Sequence, residues 1–203
     1  MPPVHEPIIG LPDFKIISYR GHRTVEIEAE YTGKRQCPHC FCTRLRKKDS
    51  FLRVFKHHTI GTNNSVLIMR TYKFQCYDCK RYFNQRFNGI NKHQRVTEPF
   101  KEQVGLRHHS GSSKRTTARD LSVGEATVER YYHKYLQLQN NKTKNASCPK
   151  VLGIDEKHFT KKVGYITTFA NLKTHKIYDI TPGRSEASIK DFVLKIPDRS
   201  NCK

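Results

Sequence analysis

Residues Arg53–Cys76, RVFKHHTIGTNNSVLIMRTYKFQC, decide how the first half of the chain folds. Two runs rich in β-branched and aromatic residues flank Gly61-Thr62-Asn63-Asn64, a turn signal, so the stretch reads as a β-hairpin. Cysteine pairs bracket it. Cys37-Pro-His-Cys40 comes before and Cys76-Tyr-Asp-Cys79 closes it, with 35 residues between the pairs.

Two Cys-x-x-Cys pairs joined by a hairpin have the layout of a zinc ribbon. Four thiolates complete a tetrahedral Zn²⁺ shell, and the metal stands in for a core too small to fold alone. The expected ligands of this structural zinc are Cys37, Cys40, Cys76 and Cys79, and a two-strand insertion accounts for the long spacer. Redox chemistry is the rival reading of one Cys-x-x-Cys, and the second pair at ribbon spacing argues against it. Cys42, His39, His57 and His58 are near enough in sequence to substitute as ligands, although surface or packing roles suit them better. Cys148 and Cys202 have no partner at ligand spacing and read as ordinary thiols. With seven cysteines and no secretory signal in the opening MPPVHEPIIGLPDF, no disulfide framework is expected.

Charge points to the partner. The 203 residues carry a net charge of +20 with pI near 9.8, which calls for a polyanion. Residues 31–147 hold 24 Lys/Arg against seven Asp/Glu, interleaved with aromatics as in KFQCYDCKRYFNQRF, a pattern that favours nucleic acid. A hydrophobic share of 35% is low for one large core, so several small modules are expected. No run approaches the length that spans a bilayer. Membrane is therefore not an expected partner, and the expected location is cytoplasmic.

Further out, residues 14–31 alternate as a hairpin around Gly21, with Val25, Ile27 and Ala29 on one face. From about Thr97 the period becomes 3.6, and two or three short helices run to Leu138. QNNKTKNAS reads as a polar linker ended by Pro149. Beyond it VLGID, GYITTFANL and KIYDITP read as strands. SEASIKDFVLKI reads as a helix capped by Ser185, with Ile189, Phe192, Val193 and Ile196 on one side. VLGIDEKHFT (Val151–Thr160) reads either as a buried strand ending in carboxylates that hold a hard cation, or as a strand that simply surfaces into polar residues.

Ser112–Leu136, SSKRTTARDLSVGEATVERYYHKYL, carries the second motif. Ala118 and Leu121 line a short first helix, Ser122-Val123-Gly124 forms a turn, and Ala126, Val128, Tyr132 and Leu136 suit a second helix packed on the first. That is a helix-turn-helix. Its expected DNA contacts are Lys114, Arg115 and Arg119, with Thr127, Arg130, Tyr131 and Lys134 from the second helix beside Glu125. An ordinary helical hairpin is the alternative.

The order CPHC…CYDC, then TTARDLSVGEATVERYY, then VLGIDE…GYITTFANLKTHKIYDITPGRSEASIKDFV resembles the ISL3 family of insertion-sequence transposases. The resemblance runs from about Leu11 onward. It implies an α+β, multi-module chain: an N-terminal hairpin and zinc-ribbon domain (1–95), a helix-turn-helix DNA-binding segment (96–140), and the start of a ribonuclease-H-like domain of the DDE type (148–203). It implies binding of element ends for DNA transposition, with double-stranded terminal repeats as partner, assembly with full-length transposase as a homo-oligomer, and a nucleoid-associated location. It places Asp155 as the first catalytic acid, bridging two Mg²⁺ or Mn²⁺ ions for phosphodiester transfer. Glu156 points to the opposite face. The family's later acids find no match before Lys203, and Asp179, Asp191 and Asp198 occupy positions it does not use. The catalytic domain is therefore expected to be incomplete and the chain inactive alone. A zinc-dependent DNA-binding transcription regulator and an RNA-binding ribbon protein are the other classes the motifs allow.

Overall fold

A computed structural model describes residues 6–11, 13–143 and 146–202. The chain divides into two units, Met1–Gln137 and Leu138–Lys203.

In the first unit a helical turn α1 (Glu6–Ile9) leads into β1 (Phe14–Arg20) and β2 (Thr24–Tyr31), an antiparallel pair. Gly21 turns the chain at φ +106°, where a Cβ would collide with the Thr24 carbonyl. As the alternation predicts, Ile27 and Ala29 face inward.

β3 (Leu45–Ile60) and β4 (Asn63–Cys76) make one antiparallel hairpin that fills almost the whole spacer between the cysteine pairs. β3 begins eight residues before Arg53. Leu45–Leu52 is too polar to alternate visibly, and the matching length of β4 supplies its partner. β2 lies parallel along β4 through Thr24–Glu28 and Asn64–Ile68. β5 (Tyr82–Asn84) joins the far end of β4 antiparallel. The resulting order is β1-β2-β4-β3, with β5 also on β4.

Phe55, Leu67 and Met69 pack on the inner face, capped by Ile9, Leu11, Phe14, Tyr31, Phe87 and Ile90. Edge-on aromatic contacts join Phe14 to Tyr31 at 5.1 Å and Tyr31 to Phe87 at 5.3 Å. Each such side chain stabilises the unit by about 1.5–3 kcal/mol through burial.

Three helices complete the unit: α2 (Glu98–His109), α3 (Lys114–Asp120) and α4 (Glu125–Thr143), of which residues 125–137 belong to it. Thr97 and Ser113 cap α2 and α3 by accepting from the Phe100 and Thr116 amides. Phe100, Val104, Ala118, Leu121 and Val128 form their core. α4 crosses α2 at Gly105, where a Cβ would stand 2.5 Å from that of Tyr135. α4 also continues to Thr143, so Gln139–Thr143 is helix and not linker. Residues 144 and 145 of the expected linker lie outside the described residues.

The second unit is a meander, β6 (Leu152–Thr160), β7 (Gly164–Asn171) and β8 (Lys176–Pro182), all antiparallel, followed by α5 (Glu186–Lys195). Ser185 caps α5, and Phe192 stacks on Phe169 at 4.2 Å. The expected helix face is the one turned inward: Ile189, Phe192 and Val193 are half-buried and Ile196 is buried. β6 corrects one reading. It does not end at Asp155 as a buried strand but continues exposed to Thr160, because pairing with β7 holds it at the edge of the sheet.

Candidate nucleic-acid interface and metal centre

The hairpin brings the two cysteine pairs together. Leu45 stands opposite Cys76, so the chain entering β3 and the chain leaving β4 each carry a pair to the same end. Cys37 and Cys79 lie 3.6 Å apart through their sulfurs, Cys40 and Cys76 3.5 Å, and all four sulfurs fall within 4.8 Å of one another. A tetrahedron with Zn–S bonds of about 2.3 Å has edges of about 3.8 Å, so the four cysteines fit zinc. The two pairs close alike. Phe41 and Lys80, each the residue after a second cysteine, sit at φ +60° and +59°. Cys37 and Cys76 donate their amides to the Cys42 and Arg81 carbonyls at 2.9 and 3.0 Å.

The electrostatics of the pairs differ. Backbone amides of Cys79 and Asp78 on its sulfur bring the Cys76 thiol down to about 6 against the opposing effect of burial. The Cys37 thiol is desolvated by burial, yet amides of His39 and Cys40 lower it on balance. Cys40 has an amide of Cys42 lowering it, but burial and the neighbouring thiols raise it to about 12. Metal binding must therefore displace protons, most of all from Cys40.

The other candidate ligands stand apart from this group among the described residues. Cys42 bonds Asp78 and Arg44, and Arg44 pairs with Asp78 across the two knuckles. The His39 ring meets Arg81 at 3.2 Å. His57 is buried, its Nδ1 2.8 Å from the Thr97 hydroxyl that caps α2, and burial takes its pKa down to about 3. His58 contacts the Ile8 carbonyl at 2.9 Å. Cys148 and Cys202, which spacing left unpaired, are neighbours: burial and then Cys202 push the Cys148 thiol up.

α3 and α4 meet through Leu121–Gly124, a turn made possible by Ser122 at φ +50°. Lys56 of β3 reaches over and donates to the Leu121 carbonyl at 3.2 Å and to that of Ser122, so a cation satisfies the C-terminal carbonyls of α3. Sequence periodicity carried no sign of this brace.

Of the residues expected to meet DNA, Lys114, Arg115, Arg119, Arg130 and Lys134 are exposed. Lys114 pairs with Glu129 at 3.1 Å, Arg119 with Asp120 at 3.3 Å and Lys134 with Glu98 at 3.0 Å. Arg130 donates to the half-buried Thr127 hydroxyl at 3.1 Å. Tyr131 packs half-buried against the helical core, and Ala126, expected inside, is exposed. α2 lies along this flank of α4: Lys101 stands over the Tyr131 ring at 5.9 Å and His108 edge-on to Tyr132 at 4.6 Å.

Asp155 is exposed in the middle of β6, opposite Thr168, whereas Glu156 is opposite Thr167. The two carboxylates therefore point to opposite faces. Among the described residues Asp155 belongs to no group of three side chains able to hold a metal. Asp179 pairs with Phe169 and so shares the face of Glu156.

Residues 85–136 match the helix-turn-helix domain of transposase family ISL3, and residues 152–203 match a family described as transposase. No curated protein and no solved structure matches the chain. The two matched regions cover just over half of the sequence, in the order expected from its motifs. The helix-turn-helix region and the strand-rich region beyond it thus place the chain in the ISL3 family of transposases.

Proposed function

We propose that the chain binds duplex DNA at the ends of its mobile element, with the β3–β4 hairpin bracing the helix-turn-helix, a zinc ribbon closing the hairpin's other end, and α4 presented to the major groove. The observation that carries this reading is the cluster of exposed cations on α3 and α4, Lys114, Arg115, Arg119, Arg130 and Lys134, within the region matched as a transposase helix-turn-helix. Their carboxylate partners are exposed or half-buried. Surface pairs of that kind are worth ~0–1 kcal/mol and yield readily to phosphate. Lys114, Arg115 and Arg119 would hold the backbone, while Arg130, with Thr127, would reach base edges. The chain is proposed to carry domains 1–95, 96–140 and 148–203, the last as part of a ribonuclease-H-like domain, and to assemble with full-length transposase as a homo-oligomer.

Asp155 is proposed as the first metal-binding acid of that domain. The residues described around it do not complete a two-metal site, and the chain is proposed to bind without cutting.

The test is titration of labelled duplexes, with and without the element's terminal repeats, across a salt series. Affinity should fall steeply with salt, Arg115→Ala should lower the slope by about 0.9 for every sequence, and Arg130→Ala should also reduce preference for the ends. Salt-independent binding would overturn the reading. Metal-dependent nicking lost in Asp155→Asn would overturn the binding-only part.

A further inference from the structure

A cleft of about 360 Å³ opens between the segment 91–96, the start of α2 and one side of α4. Its lining includes Arg95, Lys101, Arg130, Tyr131 and Lys134. Four cations thus converge on one concavity from three separate parts of the chain. Lys101 is not a solvated surface lysine, since its side chain is only 5% exposed. A fifth cation, Arg53, stands just behind and donates to the Gln94 carbonyl at 3.0 Å.

One carboxylate serves this group. Glu98 pairs with Lys101 through Oε1 and with Lys134 through Oε2 at 3.0 Å, and accepts from Asn91 at 2.8 Å. Arg95 and Arg130 form no ion pair among the described residues. Like charges gathered in a concavity repel unless an anion joins them, and a surplus of guanidinium and ammonium donors over carboxylates is the chemistry of a phosphate site. A concavity of this volume is open to solvent and roomy enough to admit a phosphate group.

We propose that this cleft seats a backbone phosphate of the bound duplex through Arg95, Lys101 and Lys134, with Arg130 at its rim reaching on to the base edges, and that Glu98 occupies those lysines in the free protein and competes with the phosphate. The inference rests on the duplex-binding reading above and extends it. The interface is not confined to α3 and α4 but includes segment 91–96 and the first turn of α2. With α4 in the major groove, the strand bordering the groove runs along its flank, where the cleft lies. Because the contact is to phosphate, it adds affinity without sequence preference.

The test uses the full chain with zinc, a short duplex of arbitrary sequence, and a salt series. Arg95→Ala should bind about tenfold more weakly, with a slope shallower by about 0.9. Glu98→Gln should bind at least about threefold more tightly at low salt, since a carboxylate facing the phosphate is removed. Thermal melting checks the fold of Glu98→Gln, and Arg95 is exposed, so its replacement leaves packing untouched. If Arg115→Ala weakens binding while Arg95→Ala leaves affinity and slope unchanged, the cleft is not a phosphate site and the duplex-binding reading stands. If neither change matters, the duplex-binding reading falls and this inference with it. A Glu98→Gln protein that melts normally but binds no more tightly also overturns the competition.

Discussion

The two units treat apolar surface in opposite ways. Residues 6–137 close a sheet over a filled core, from Ile9 and Phe14 through Phe55, Leu67 and Met69, with a second helical core beside it. Residues 138–202 bury only Phe169 and Ile196 among their large apolar side chains, while Phe159 is 61% and Ile177 64% exposed. The difference is one of layers. The first sheet is covered by loops, aromatics and helix, and the four cysteines gather at its far end. Three strands and one helix cover one face only, the face of Phe169 and Phe192, so Ile166, Ile177 and Ile180 are left on the other by register. A small fold is stable in proportion to what it encloses, and by that measure the first unit is the firmer.

The sharpest way to break that contrast is to remove the metal. Structural zinc contributes about 10 kcal/mol or more to small metal-stabilised domains. Cys76→Ser, or a strong chelator, should therefore abolish zinc content and expose the amides of residues 34–48 and 70–86 to hydrogen exchange, leaving 146–202 as before. Cys148→Ser should retain the metal. Full zinc content in Cys76→Ser would sink the assignment.

Acid offers a gentler probe of the same contrast. His57 titrates near 3 in the folded chain because burial disfavours its charged form, against about 6.5 when unfolded. The unfolded state therefore binds the proton first, and stability is lost as pH falls from 6.5 towards 3. The loss is about 1.4 kcal/mol per pH unit, or about 2 kcal/mol by pH 5. Denaturant melts followed by a probe in the first unit should show that slope, and His57→Gln should flatten it. An unchanged slope in the variant would assign the effect elsewhere.

The smallest effect is expected on the open face of the second unit. Ile177→Lys should alter stability by no more than about 0.5 kcal/mol, since the side chain already faces solvent. It should nonetheless reduce self-association in sedimentation, because an exposed apolar patch and a sheet edge are removed from play. A marked loss of stability would mean that Ile177 is covered in solution.

How much of this was legible differs by kind of signal. Local ones survived intact. The turns at Gly21 and Gly61, the cysteine pairs, the Ser185 cap and the inward face of α5 all follow from spacing within a few residues, where backbone geometry sets the period. Signals that depended on a distant partner failed or were invisible. Of the two readings open for Val151–Thr160, the strand that surfaces into polar residues is the one found, because burial depends on neighbours that the apolar run does not specify. Tyr131 is half-buried beside Lys101 of α2, whereas Ala126, expected inside, is exposed.

Composition and spacing therefore marked out which residues could bind zinc and which segment forms the helix-turn-helix, and a net charge of +20 pointed to an anionic partner. Only the tertiary structure decided that β2 runs parallel to β4, that Lys56 braces the turn before α4, and that Glu98 gathers Lys101 and Lys134 beside Arg95 and Arg130. Hydrophobic period and ligand spacing are properties of a short stretch of backbone. Pairing and charge clustering are instead set by which surfaces remain unburied once those stretches fold, a choice made among segments tens of residues apart.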